Sequence, residues 1–105
     1  MASHNFLITG ASSGLGLALA RATLQRGHKV IATARNVQKS AQTYPDIENQ
    51  GGKWIHLDVD SPESEVIVRK TVEENNVDVL VNNAGYAIVG AIENISYIPA
   101  SATFI

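Results

Sequence analysis

The sequence predicts an α/β fold, a doubly wound parallel sheet with helices on both faces. Three observations predict it. Short apolar runs alternate with longer segments carrying helix signals, in the order β-α-β-α-β-α-β. Such alternation implies parallel strands joined by right-handed crossovers. The apolar runs are continuous rather than alternating, as in strands covered on both faces. The first run stops at a glycine-rich turn, Thr9-Gly10-Ala11-Ser12-Ser13-Gly14-Leu15-Gly16, which opens into a segment rich in alanine and leucine.

Taken in order, Phe6 to Ile8 read as the first strand and Gly14 to Arg26 as the first helix. Only Arg21, Thr23, Gln25 and Arg26 are polar in that helix body, so most of its circumference is expected to be covered by a sheet and by flanking elements. Gly27 suits the position just past the helix, where a left-handed conformation is common. Lys29 to Ala34 read as the second strand, with Arg35 and Asn36 just beyond it. Val37 to Asn49 read as a polar, partly helical stretch cut by Pro45. Lys53 to Leu57 read as the third strand, ending at Asp58. Ser61-Pro62-Glu63 reads as a helix start, with a capping hydroxyl, a proline tolerated in the first turn and an acid at the positive end. That helix runs to about Asn75, with Glu65 and Arg69 spaced for an i,i+4 pair. Val77 to Val81 read as the fourth strand, followed by Asn82-Asn83-Ala84-Gly85. Tyr86 to Glu93 is apolar and loop-like, and residues 96–105 contain no charge.

Composition bounds the function. The chain has 105 residues, 45% hydrophobic and 17% charged, enough for one small packed domain. The formal net charge is −2 and the basic residues are scattered, so the clustered positive face that nucleic acid needs is absent. There is no cysteine, which excludes disulfides and thiolate metal sites. His4, His28 and His56 are not spaced as a metal site, and Trp54 and Tyr44 read as packing residues. No signal-peptide pattern and no apolar run of membrane-spanning length occurs. The expectation is a cytoplasmic protein with no metal and no membrane span.

The glycine turn carries the chemistry. A backbone that approaches an anion closely must shed side chains there, and a helix N-terminus then presents N–H groups and a positive dipole end. The spacing Gly10-x-x-x-Gly14-x-Gly16 is wider at its first gap than the common dinucleotide fingerprint. Read alone, it is compatible with an ordinary strand-to-helix turn.

Thr9 to Gly16 resembles the cofactor loop of the short-chain dehydrogenase/reductase (SDR) family. Asn82-Asn83-Ala84-Gly85 resembles that family's second signature, and Leu57-Asp58-Val59 its adenine-contacting element. The resemblance covers roughly residues 4 to 95 and implies a Rossmann-like fold with strand order 3-2-1-4. It implies that Gly10, Ser12, Ser13, Gly14, Leu15 and Gly16 hold the pyrophosphate and adenosine ribose. Asp58 would accept from the adenine amino group, with Val59 against the ring. Asn83, Ala84 and Gly85 would border the cofactor, and Asn82 would tie the central sheet. Taken singly, Asp58 also fits a helix entry and Asn82-Asn83 a turn.

Cofactor choice turns on the end of the second strand. An acid there bonds the ribose 2′-hydroxyl of NAD. Here Ala34 and Arg35 occupy that corner, and no acid falls between Thr33 and Asn36. An arginine can pair with a 2′-phosphate. The expected cofactor is therefore NADP(H) rather than NAD(H), although a strand-end arginine can also simply be solvated.

The family's chemistry, as the resemblance implies it, is hydride transfer between nicotinamide and an alcohol or carbonyl carbon, served by a Tyr-x-x-x-Lys pair. In this sequence Tyr44 is followed at +4 by Glu48, Tyr86 by Gly90 and Tyr97 by Ser101. No catalytic residue is assigned. The expectation is a partial NAD(P)-binding domain over residues 1–95 and a divergent tail over 96–105, a truncated portion of an alcohol/carbonyl oxidoreductase. The fourth strand is expected to expose an unpaired edge, and the family's oligomer interface to be absent. The alternatives are a non-catalytic nucleotide-binding or interaction module, docking through that edge, or a non-functional truncated product.

Overall fold

The computed structural model describes residues 3–12 and 14–83, together with the backbone of 103–104. The strands are β1 (Asn5–Ile8), β2 (Lys29–Ala34), β3 (Lys53–His56), β4 (Val79–Val81) and β5 (Thr103–Phe104). The helices are α1 (Gly14–Gln25), α2 (Val37–Thr43), α3 (Pro45–Asn49) and α4 (Ser64–Asn75). The sheet order is β3-β2-β1-β4-β5, with every neighbouring pair parallel. The four expected strands therefore stand in the expected order. The edge of β4 is not open, however. Val79 pairs with Thr103 and Leu80 with Phe104, which occupies backbone groups that would otherwise face solvent. The segment expected to be loop-like, 86–93, lies outside the described residues.

Successive strand residues point to opposite faces, and both faces are apolar. Ile8, Val30, Ala32, Val79 and Val81 pack on one side with Leu17, Ala20 and Leu24 of α1 and Ile47 of α3. Leu7, Ile31 and Leu80 pack on the other with Val68 and Val72 of α4. This two-sided burial is why the strands read as unbroken apolar runs. Helix α1 buries only the stripe Gly16, Leu17, Ala20 and Leu24. Leu15, Ala18 and Ala22 are exposed, so the cover is narrower than the expected one over most of the circumference; small alanines tolerate water at little cost. The helix ends as Gly27 predicts. Gly27 has φ +85°, its N–H reaches Leu24 O at 3.0 Å, and the His28 N–H reaches Thr23 O at 3.3 Å.

Other boundaries shift for identifiable reasons. Pro45 splits the polar stretch into α2 and α3 and stands in the first turn of α3, where its missing N–H has no helical partner to lose. The helix expected from Ser61 starts at Ser64. Ser61 instead closes a turn, with its Oγ accepting from the Glu63 N–H at 3.2 Å and its carbonyl from the Ser64 N–H at 3.1 Å. The Glu65–Arg69 pair forms, at 3.2 Å. β4 begins at Val79 rather than Val77, because the Val77 N–H still bonds Val72 O and closes α4.

A polar clamp holds the amino ends of β1 and β4. Asp78 Oδ1 accepts from the Asn5 N–H at 2.8 Å, and Asp78 Oδ2 lies 2.9 Å from His4 Nδ1. The His4 N–H donates to His28 Nδ1 at 3.0 Å. Burial pushes the Asp78 carboxyl up, but the bonds from His4 and Asn5 outweigh it, and its pKa is lowered from the ordinary 3.8. A carboxyl whose folded-state pKa is lowered stabilises the fold fully above its unfolded value and loses that contribution as pH falls through the folded one. The melting temperature is therefore expected to fall as pH drops below about 4. Asp78→Asn should be less stable than the parent at neutral pH and show a shallower acid limb, as measured by thermal melts from pH 6 to pH 2.5.

Candidate functional site

The carboxyl ends of four strands are tied together by backbone bonds that continue past the strands themselves. The Thr9 N–H reaches Val81 O at 3.1 Å, the Ala11 N–H reaches Thr33 O at 3.0 Å, and the Leu57 N–H reaches Ala34 O at 3.0 Å. The glycine turn, the Arg35 corner, the Asp58 turn and the Asn83 turn are thereby fixed along one edge. A cleft of about 590 Å³ lies between them. Gly10 and Ser12 line it from the first turn, Ala34, Arg35 and Asn36 from the corner after β2, Leu57 and Val59 from the turn after β3, and Asn83 from that after β4. Lys39, Ser40, Thr43 and Tyr44 form the wall contributed by α2 and its end.

The glycine turn is shaped by two different requirements. Gly10 and Gly14 have φ of +62° and +55°, a region that other residues enter only at a cost. Gly16 has ordinary backbone but no room. A Cβ on it would meet Gly10 O at 2.3 Å and Asn83 Nδ2 at 2.5 Å. Those two atoms are hydrogen-bonded to each other, with Asn83 Nδ2 donating to Gly10 O at 3.0 Å. The first helix thus packs directly over the bond that joins the first turn to the last. Leu15, at the start of α1, is exposed, and Gly14, Leu15 and Gly16 stand beside the cleft rather than lining it.

Arg35 is exposed at the cleft's rim. Its Nε lies 4.0 Å from Asp58 Oδ1 and its Nη2 lies 3.7 Å from Asp60 Oδ2. Asp58 Oδ1 also accepts from the Asp60 N–H at 3.0 Å, so Asp58 shapes its own turn; its neighbours Leu57 and Val59 line the cleft and it does not. Asn82 Oδ1 is buried with no hydrogen-bond partner among the described residues. Ser13, Ala84 and Gly85 lie outside the described residues.

The α2 wall was not singled out in the sequence. Asn36, at its N-cap, and Lys39, Ser40 and Thr43 fall at i, i+3, i+4 and i+7, one helical face, and that spacing is the available signal. Tyr44 is more than a packing residue, since it lies both against the core and on the cleft. A clamp steadies this wall. Arg21 of α1 donates to Asp46 of α3 through Nε at 2.9 Å and Nη2 at 3.3 Å, and its guanidinium lies 5.4 Å from the Tyr44 ring centre. The Arg21 hydrogen bond lowers the Asp46 pKa below its ordinary value.

Among the described residues, no group of three or more potential ligands could hold a metal ion, and no helix is long and apolar enough to cross a membrane. The crowding at Gly16 yields a direct test. Gly16→Ala should cost about 1–3 kcal/mol of stability, because neither contacting atom can retreat without breaking the Asn83–Gly10 bond. Denaturant unfolding should show a lower midpoint, whereas Ala22→Ser, on the exposed side of the same helix, should change it little.

The comparisons with known proteins agree with this geometry. The profile of the family described as short chain dehydrogenase matches residues 4–100. Oxidoreductase claN of Passalora fulva is 50% identical over 95 residues, covering 90% of this chain and 44% of that protein. The 3-oxoacyl-(acyl-carrier-protein) reductase FabG of Vibrio cholerae serotype O1 is 46% identical over 81 residues, covering 75% of this chain and 33% of that protein. Among solved structures, a variant of actinorhodin polyketide ketoreductase with NADPH superposes with a TM-score of 0.66 at 39% identity, covering 80% of this chain and 34% of that one. The chain thus spans less than half the length of these relatives. With a profile match over nearly its whole length and a cleft at the carboxyl ends of a 3-2-1-4 sheet, the chain belongs to the short-chain dehydrogenase family.

Proposed function

We propose that these residues hold an NADP(H) cofactor, as the cofactor-binding portion of an oxidoreductase that interconverts an alcohol and a carbonyl. The observation that carries the proposal is the single cleft shared by the glycine turn, the Arg35 corner, Val59 and Asn83. Its lining fits a dinucleotide. Gly10 keeps side-chain bulk out of the first turn, and a Cβ on Gly14 would meet nothing within 4 Å, so the backbone there faces open space. Ser12 and the first turn of α1 supply donors for a pyrophosphate. Leu57 and Val59 offer an apolar flank to the adenine, with Asp58 beside them as acceptor for its amino group. Arg35 and Lys39 place two cations at the end where a 2′-phosphate would sit. Ser13, Ala84 and Gly85 complete the proposed contacts.

When bound, the nicotinamide supplies the hydride chemistry. In this reading the described residues bind and orient the adenosine half, and the 105-residue sequence, with no Tyr-x-x-x-Lys spacing, contributes no catalytic pair. The names of FabG and of the polyketide ketoreductase support a carbonyl as the substrate class of the whole enzyme. A binding module without turnover is the second reading, and the same cleft supports it. Docking of such a module through the edge of β4 loses its basis, because β5 occupies that edge.

Calorimetric titration of the chain with NADPH and NADH tests the cofactor reading. NADPH should bind more tightly. Arg35→Ala should weaken NADPH about tenfold, the loss of one solvent-screened, charge-assisted contact, and leave NADH within twofold. Equal affinity for the two cofactors would contradict the role of Arg35. Oxidation of NADPH by the isolated chain with a panel of ketones and aldehydes would contradict the non-catalytic reading.

A further inference from the structure

Arg35 has company that its proposed role does not require. Both carboxylates near it approach within ion-pair range but not hydrogen-bond range, at 4.0 Å from Asp58 and 3.7 Å from Asp60. They differ in what else they do. The Asp58 carboxylate receives the Asp60 N–H and holds the turn together. The Asp60 carboxylate is 73% exposed and, among the described residues, has Arg35 as its one partner. The turn uses the backbone of Asp60, and its side-chain charge serves no structural bond. The formal charges around the corner, Arg35, Lys39, Asp58 and Asp60, sum to zero, so the two carboxylates offset part of the attraction that the two cations offer an anion.

We propose that Asp60 is a specificity-determining residue, a counter-charge that sets how strongly the Arg35 corner prefers a 2′-phosphorylated dinucleotide over an unphosphorylated one. This rests on the reading of Arg35 as the 2′-phosphate ligand. A phosphate at the guanidinium is a near neighbour of the Asp60 carboxylate, and two negative groups at that range repel. The exposed Arg35–Asp60 pair is itself worth little, so displacing it costs little; the effect lies in the repulsion. An unphosphorylated ribose brings no charge to the corner and meets no such repulsion. The residue therefore lowers NADPH affinity relative to NADH affinity, and it narrows the preference that Arg35 creates.

The test is the ratio of NADPH to NADH affinity, by calorimetry on the full chain, for the parent, Asp60→Asn, Asp60→Ser and Arg35→Ala. Both Asp60 variants keep the backbone N–H that Asp58 binds, and thermal melts should match the parent. The ratio should rise about three- to tenfold in each Asp60 variant at low ionic strength, and the gain should shrink in high salt. In Arg35→Ala the ratio should collapse toward unity. An unchanged ratio in both Asp60 variants, with collapse in Arg35→Ala, would overturn the role of Asp60 while leaving that of Arg35 standing. An unchanged ratio in Arg35→Ala, or no binding of either nucleotide by the parent, would overturn the reading of Arg35 and the inference with it.

Discussion

The hydrogen bond from Asn83 Nδ2 to Gly10 O is the contact on which the organisation of the cleft depends. It joins the turn after β1 to the turn after β4, and it exists because Gly16 has no side chain. Helix α1 can then settle over the bond, bringing its N-terminus to the carboxyl edge of the sheet. Any Cβ at Gly16 would force a choice between the helix position and the bond. The backbone bonds Thr9–Val81, Ala11–Thr33 and Leu57–Ala34 extend the same constraint across the edge, so four turns separated widely in sequence keep one geometry. Preorganisation of this kind lowers the ordering cost of holding an extended ligand.

The two ends of the sheet divide the work. At the amino ends, the Asp78 carboxylate is spent on the Asn5 N–H and on His4, and the Asn5 side chain donates to the Asn75 and Asn76 carbonyls, which fixes where β1 enters. At the carboxyl ends, polar side chains such as Ser12, Lys39 and Arg35 face the cleft, and Arg35 makes only long-range pairs among the described residues. Groups with unspent hydrogen-bonding capacity at a preformed edge are what a polar ligand recruits. The Arg21 clamp belongs to neither end, yet it links α1 to the α2–α3 wall, joining the helix that follows the glycine turn to the wall that carries Lys39.

Much of this was legible in the sequence, and for local reasons. Two-sided burial leaves continuous apolar runs, and glycine punctuates turns, so the four strands, the first helix and the glycine turn could be placed from residue type alone. Arg35 was legible because it follows a strand directly. The α2 wall is harder to read, because one polar face of a seven-residue polar helix looks in sequence like any solvated face, and what positions it comes from α1 and from the buried Ile47. α4 starts three residues later than its sequence suggests because Ser61 bonds a turn that looks, in sequence, like a cap. The pairing of β5 with β4 and the approach of Asp60 to Arg35 are contacts between separated segments, and no spacing rule announces them.

The proposed function assigns dinucleotide binding to one edge of the sheet and leaves the opposite edge only to secure the fold. Hydrogen–deuterium exchange with and without NADPH measures this most directly, because it locates the ligand as well as detecting it. Amides of the glycine turn, of residues 35–40 and 57–60, and of Asn83 should exchange more slowly with NADPH. Those of His28, Lys53 and Asp78 should be unchanged. Protection centred on the amino ends of the strands, or none at saturating NADPH, would contradict it.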